Sequence, residues 1–285
     1  KLVITPLFNI KMEIKATDVA KLRQMTGAGM MDCKSALVEA NGDFDKAKDI
    51  IREKGKLVAA KRADRETTEG SVIALANADR TKAILTCLGC ETDFVAKNAE
   101  FQQLANKIAD AALTAMPADL AGLMKVTLDG QTIEEAVTQQ TGKSGEKHAI
   151  PFYAKIEASY IATYIHTNGK VATVVGFSKK VSETVGDEIA MQITAMNPVS
   201  VNRDSCPKEV IEKELEIYRI QIREEGKPEN MVEQIAQGKL NKFFKESTLE
   251  DQTFVQDGKI SVAQYLKSVD PEVKVTGFFR FSLND

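Results

Sequence analysis

Tryptophan is missing from the 285 residues, and aromatic residues amount to only 6%. Stacking platforms for bases are therefore scarce. Histidine occurs twice, at His148 and His166, with no H-x-x-x-H pair, no H-E-x-x-H and no G-x-S-x-G, so nothing suggests a metal-held base or an activated serine. Four cysteines (Cys33, Cys87, Cys90 and Cys206) are too few for a disulfide framework in a chain this long, which points to a reducing compartment. No apolar run approaches the roughly 20 residues that span a bilayer, and no signal peptide is visible. An excess of either charge is lacking too: 38 Lys and Arg stand against 41 Asp and Glu, a net charge of −3, which argues against bulk nucleic-acid binding. These absences lead us to expect a cytoplasmic protein with no membrane, direct nucleic-acid or cofactor partner.

The chain opens at Lys1 without a methionine, and residues 1–11 read as a cloning or start-site remnant before Met12. From there the first stretch, 12–55, reads as three short helices. Thr17 is the expected cap of the first, with Val19, Leu22 and Met25 on one face and Gly27 as its stop. Cys33, Ala36, Leu37 and Ala40 line the second, which ends at Asn41-Gly42. Asp43 caps the third, with Phe44, Ala47, Ile50 and Ile51 inward and Gly55 beyond its end. Residues 56–68 are highly charged and read as a linker. The segments 69–156 and 157–206 are expected to be two core subdomains, 207–247 an antiparallel helical hairpin turning at Gly226-Lys227-Pro228, and 248–285 a return to the core sheet through the β-prone run 273–283.

An internal repeat singles out one connector. GSVIALA and TKAILTCLG flank a turn and precede a helix with Phe101, Leu104, Ile108 and Ala112. SYIATYIH and KVATVVGFS flank Asn168-Gly169, a strong hairpin signal, and precede a helix with Val185, Ile189, Ile193 and Met196. The first copy has about three extra residues between second strand and helix, within Cys90-Glu91-Thr92-Asp93-Phe94-Val95-Ala96-Lys97-Asn98. A lengthened loop bearing a Phe is a candidate for contact with something else; the alternative is that Phe94 and Val95 tuck beneath the sheet. The other motifs fall short. Cys87-Leu88-Gly89-Cys90 has neither the further ligands of a zinc site nor the helix start of a redox pair. Gly142-Lys143-Ser144 lacks the first glycine of a phosphate-binding loop, and Gly27-Ala28-Gly29 lacks the third glycine of a dinucleotide fingerprint. With exposed apolar points and no assembled active site, the chain reads as an interaction protein.

Two longer motifs carry a resemblance. Leu22-Arg23-Gln24-Met25-Thr26-Gly27-Ala28-Gly29-Met30-Met31-Asp32-Cys33-Lys34-Ser35-Ala36-Leu37 closely resembles the N-terminal signature of bacterial elongation factor Ts. Thr92-Asp93-Phe94-Val95-Ala96-Lys97-Asn98 is similar to that family's second signature and lies in the connector the repeat marks. Tyr164-Ile165-His166, Gly226-Lys227-Pro228 and Val275-Thr276-Gly277-Phe278-Phe279-Arg280-Phe281 match further family segments. The resemblance implies an α+β fold: a ubiquitin-associated-like three-helix domain, a duplicated core of antiparallel sheets with helices, and a helical hairpin. It implies a non-catalytic guanine-nucleotide exchange factor for elongation factor Tu, the GTPase that delivers aminoacyl-tRNA. It also implies that Arg23, Met30, Met31, Lys34, Thr92, Asp93, Phe94, Val95 and His166 meet that partner, and that Thr92–Val95 dislodge its magnesium ion. Self-association, as a homodimer, is a further expectation. Two other classes stay open on the residues: a helical binding module on a scaffold without exchange activity, and a thiol enzyme using Cys87 and Cys90.

Overall fold

The computed structural model describes residues 14–283; the segment 1–11 lies outside these residues. In chain order the elements are α1 (Ala16–Thr26), α2 (Met30–Glu39), α3 (Phe44–Lys61), β1 (Glu69–Ala76), β2 (Lys82–Cys90), α4 (Asp93–Ala96), α5 (Ala99–Ala115), α6 (Leu120–Met124), β3 (Thr127–Leu128) and β4 (Gln131–Thr132). They continue as α7 (Ile133–Ser144), β5 (Ala149–Glu157), β6 (Tyr160–Ile165), β7 (Val171–Phe177), α8 (Glu183–Met196), α9 (Lys208–Glu224), α10 (Glu229–Ser247), α11 (Val262–Val269) and β8 (Val275–Ser282). The fold is a mixture of helices and antiparallel sheet, an α+β arrangement. Its two compact units interleave along the chain. One comprises the described residues up to Gly70 with Gly89–Phe101 and Thr127–Ala149, and the other comprises Ser71–Leu88, Gln102–Val126 and the residues from Ile150 onward.

In the first unit, α1, α2 and α3 close around Val19, Leu22, Cys33, Ala36, Leu37 and Ala47. Small side chains let such short helices approach and still exclude water. The helix ends follow local chemistry. Asp43 accepts from the amides of Asp45 and Lys46, and Gly27 ends α1 in the left-handed region at φ 68°. Two expectations need correction. The residue before α1 is Lys15, with no side-chain cap, and Thr17 lies inside the helix. Gly55 does not end α3, which runs on to Lys61 through the first part of the stretch expected to be a linker. Gly55 is buried against α7: a Cβ on Gly142 would lie 2.6 Å from the Gly55 Cα. Glycine is here the residue that lets two helix backbones touch, and its loss of propensity, about 1 kcal/mol, is offset by that packing. Residues 127–149 are structured as well. β3 and β4 pair through an Asp129-Gly130 turn with both φ positive, and Thr132 and Glu135 form a reciprocal capping box at the start of α7.

The second unit holds a sheet of order β6-β7-β8, antiparallel throughout, with Ile161 opposite Gly176 and Val175 opposite Phe278. The closing run thus joins a sheet as its third strand. Val185, Ile189 and Ile193 of α8 pack on this sheet with Leu249, Phe254, Val262 and Leu266, whereas Met196 is exposed. Val72, Ala74, Ala83, Leu85 and Cys87, from a second sheet of order β1-β2-β5, share a core with Ile161, Ala172 and Val174. The pair α9–α10 carries two small clusters, Ile222 with Val232 and Ala236, and Cys206 with Leu240 and Phe244. Arg219 bridges these helices with two hydrogen bonds to Glu233 at 2.8 and 2.9 Å.

Candidate partner-binding site

The connector after β2 forms α4, a single helical turn. Isolated turns of this length are unstable in water, so its shape depends on what holds it. Thr92 is its N-cap, in extended backbone, and the Thr92 hydroxyl accepts from the Val95 amide at 3.5 Å. Every polar group of Thr92 is engaged. Its amide donates to Glu146 Oε2 at 3.0 Å and its hydroxyl donates to Glu146 Oε1 at 2.6 Å. Its carbonyl accepts from the Ala96 amide at 3.1 Å and from the Cys90 thiol at 3.2 Å. One residue further, Asp93 pairs with Lys97 at 2.7 Å. The hydrogen bond from Lys97 holds the Asp93 carboxyl below its ordinary value, and the same contact raises the Lys97 ammonium. Phe94 then stands out with 83% of its surface exposed. Val95 is half-buried and Ala96 buried. The side chain expected either to tuck beneath the sheet or to face outward does the latter.

Met30 and Met31 open α2 directly after Gly29, whose extended backbone is the N-cap. They are 43% and 74% exposed, while Cys33, Ala36 and Leu37 take the inward face. Lys34 is exposed and lies one turn on from both methionines, on the same outer face. Arg23 is exposed in the last turn of α1, where its charge suits the negative end of the helix dipole. In the other unit, His166 follows β6 and is exposed; its ring nitrogen Nδ1 lies 3.4 Å from the Tyr164 hydroxyl. It forms the rim of a hollow of about 480 Å³ lined with Val171, Met191 and Val255. Thus Arg23, Met30, Met31, Lys34 and Thr92–Val95 belong to one unit and His166 to the other.

The cysteine pair is dismantled by strand geometry. Cys87 and Cys90 are three residues apart on β2, so their side chains leave opposite faces, and Cys87 is packed in the core. Burial pushes the Cys90 thiol up to about 12, so it carries almost no thiolate at neutral pH. Among the described residues no three His, Cys, Asp or Glu converge as a metal site, and no helix is long and apolar enough to cross a membrane.

Residues 91–285 match the model of the family described as elongation factor TS. The chain belongs to the elongation factor Ts family. It is 48% identical over 273 residues to the elongation factor Ts of Christiangramia forsetii, covering 95% of this chain and 99% of the relative. With that of Amoebophilus asiaticus it shares 48% identity, covering 94% and 98% of the two chains, and with that of Porphyromonas gingivalis 47%, covering 96% and 99%.

In this chain Glu146 is a residue that sequence reasoning missed, and no local pattern could have marked it. It follows Gly145, the left-handed C-cap of α7, and reaches a residue 54 positions earlier. Glu91 was equally unremarkable, although its carboxylate accepts from Arg62 at 2.8 Å and from the Lys147 amide at 2.6 Å. The Lys147 amide, the largest cause, and Arg62 hold the Glu91 carboxyl below its ordinary range.

Proposed function

We propose that this chain is a non-enzymatic guanine-nucleotide exchange factor for elongation factor Tu, acting in the cytoplasm during translation elongation. The observation that carries the reading is Phe94, an aromatic side chain 83% exposed on a one-turn helix whose cap residue is held on every polar atom. A large exposed aromatic on an ordered support is costly in water and suits insertion into a partner. Asp93 and Phe94 enter beside the magnesium side of the nucleotide pocket. Phe94 wedges between the elements that position metal and phosphate, and Asp93, which is ionised at neutral pH, exchanges Lys97 for polar groups of the partner or disturbs the water shell of the ion. Thr92 and Val95 shape and seat the turn.

No bond need be made or broken. The factor and GDP each weaken the other's binding by one coupling free energy, and a wedge that fits only the emptied pocket supplies the differential affinity. Met30, Met31, Arg23 and Lys34 form a second contact on the GTPase. Methionine adapts its shape to such a surface, and Arg23 and Lys34 add positive charge to the contact. His166, on the rim of its hollow, supplies a third.

Stopped-flow release of fluorescent GDP from elongation factor Tu tests the reading. The chain is expected to accelerate release by orders of magnitude, and Phe94→Ala to lose at least about tenfold of that, roughly 1.4 kcal/mol of transition-state stabilisation, with no change in thermal midpoint. Release as fast with Phe94→Ala as without it removes the wedge. Binding without acceleration leaves a scaffold.

A further inference from the structure

Two segments far apart in the chain meet at the base of α4 through crossed carboxylates. Glu146 accepts the amide and hydroxyl of Thr92, and Glu91, the residue before Thr92, accepts the amide of Lys147, the residue after Glu146. Each segment thus offers one carboxylate and one backbone N–H to the other. The knot is tied further. Arg62, just past α3, donates to Glu91, and the Lys147 ammonium donates to the carbonyls of Ala63 and Arg65 at 2.6 and 2.7 Å. The Glu146 amide donates to the Ser144 hydroxyl at 3.1 Å, which steadies the carboxylate at its own end. Charge-assisted hydrogen bonds of this kind are about twice as strong as neutral ones. Apart from this knot the four-residue helix has a 3.5 Å cap bond, the Asp93–Lys97 pair, the Cys90 thiol on the Thr92 carbonyl and the buried Ala96.

We propose that Glu146 is a positioning residue: by holding both the amide and the hydroxyl of Thr92 it fixes the turn that carries Phe94, and so sets how fast the chain drives nucleotide from its GTPase. The inference rests on the exchange reading above. Glu146 does not need to touch the partner. It acts through Thr92, and its effect falls on the angle and order of the wedge rather than on the strength of docking, which Met30, Met31 and His166 sustain.

The experiment pairs GDP release at saturating factor with the concentration giving half-maximal release. Glu146→Ala should lower the saturating rate at least about tenfold and leave the half-maximal concentration within about threefold, the pattern of an interaction made only in the transition state. Glu146→Gln should keep the rate within about threefold. Its carbonyl oxygen still accepts the Thr92 amide, and its NH₂ faces a hydroxyl that can turn to accept. Adding Phe94→Ala to Glu146→Ala should cost nothing further, since both remove one device. Wild-type rates for Glu146→Ala beside loss with Phe94→Ala would overturn the positioning role and spare the exchange reading, as would multiplicative loss in the double variant. Should the unchanged chain fail to accelerate release, the exchange reading falls by itself. Amide exchange at Val95, Ala96 and Lys97 then tests the clasp: about tenfold faster in Glu146→Ala sustains it, and equal rates refute it.

Discussion

His148 shows how burial sets the behaviour of a single side chain here. The ring is 6% exposed and tilted against Phe101 at 5.5 Å. Its Nδ1 lies 2.9 Å from the Glu146 carbonyl, which makes that nitrogen the N–H donor, and its Nε2 has no partner among the described residues. Burial moves the group below 6.5 despite the nearby charges of Glu146 and Glu91. The unfolded chain therefore takes up the proton first. Stability supplied by the neutral ring is complete above about pH 6.5 and is lost as pH falls from there toward the depressed folded value. The urea midpoint should drop between pH 7.5 and pH 5.5, and His148→Gln should flatten that drop. Glu91 and Asp93, also held low, lose their contributions only in more acid solution, so the two effects separate on the pH axis. An equal slope in His148→Gln would assign the drop elsewhere.

Among the elements, the contact of α3 with α7 is the one the residues disguised most. Gly55 reads as a stop and Gly142 as the end of an imitation phosphate loop, yet Gly142 is a glycine because the Gly55 backbone is there, while a Cβ on Gly55 would meet the Gly142 Cα at an ordinary 3.7 Å. Gly142→Ala would drive a Cβ to 2.6 Å from the Gly55 Cα, and an unyielding backbone contact makes this overpacking, with an expected loss of about 1–3 kcal/mol in denaturant titration. A stability within about 0.5 kcal/mol of the parent would show that the helices part freely. Elements with strong local grammar were legible: Asp43 as a cap, Gly27 and Gly226 as stops, Asn168-Gly169 as a hairpin, and the inward stripe of α8 through Ile193, though not its last expected member, the exposed Met196. The unreadable ones depended on distant partners. Residues 113–155 gave no clear period because α6, β3 and β4 are too short for one and break up the stretch that also holds α7 and the start of β5. For the site, the exposed Met31 and Phe94 follow from short motifs, whereas Glu146 acts on Thr92 from a different stretch of chain.

For the whole molecule, a contact surface must be paid for by residues that the fold does not need. Met31 is 74% exposed and outside the helical core, so Met31→Ala should change stability by no more than about 0.5 kcal/mol. The same change should raise the dissociation constant for nucleotide-free elongation factor Tu by about fivefold or more. Calorimetry of the complex measures one and thermal denaturation the other; an unaltered dissociation constant would take Met31 off the interface. The crossed clasp has a different consequence, in time rather than energy. Its halves are 54 residues apart, so joining them closes a loop that cannot form until both have been made. A nascent chain that has just released Phe94 from the ribosome already has the aromatic residue but not its setting. On the exchange reading proposed above, the turn is expected to take its final form only after Glu146 and Lys147 have emerged, so a growing chain would gain its exchange activity only once the middle of the protein has been made.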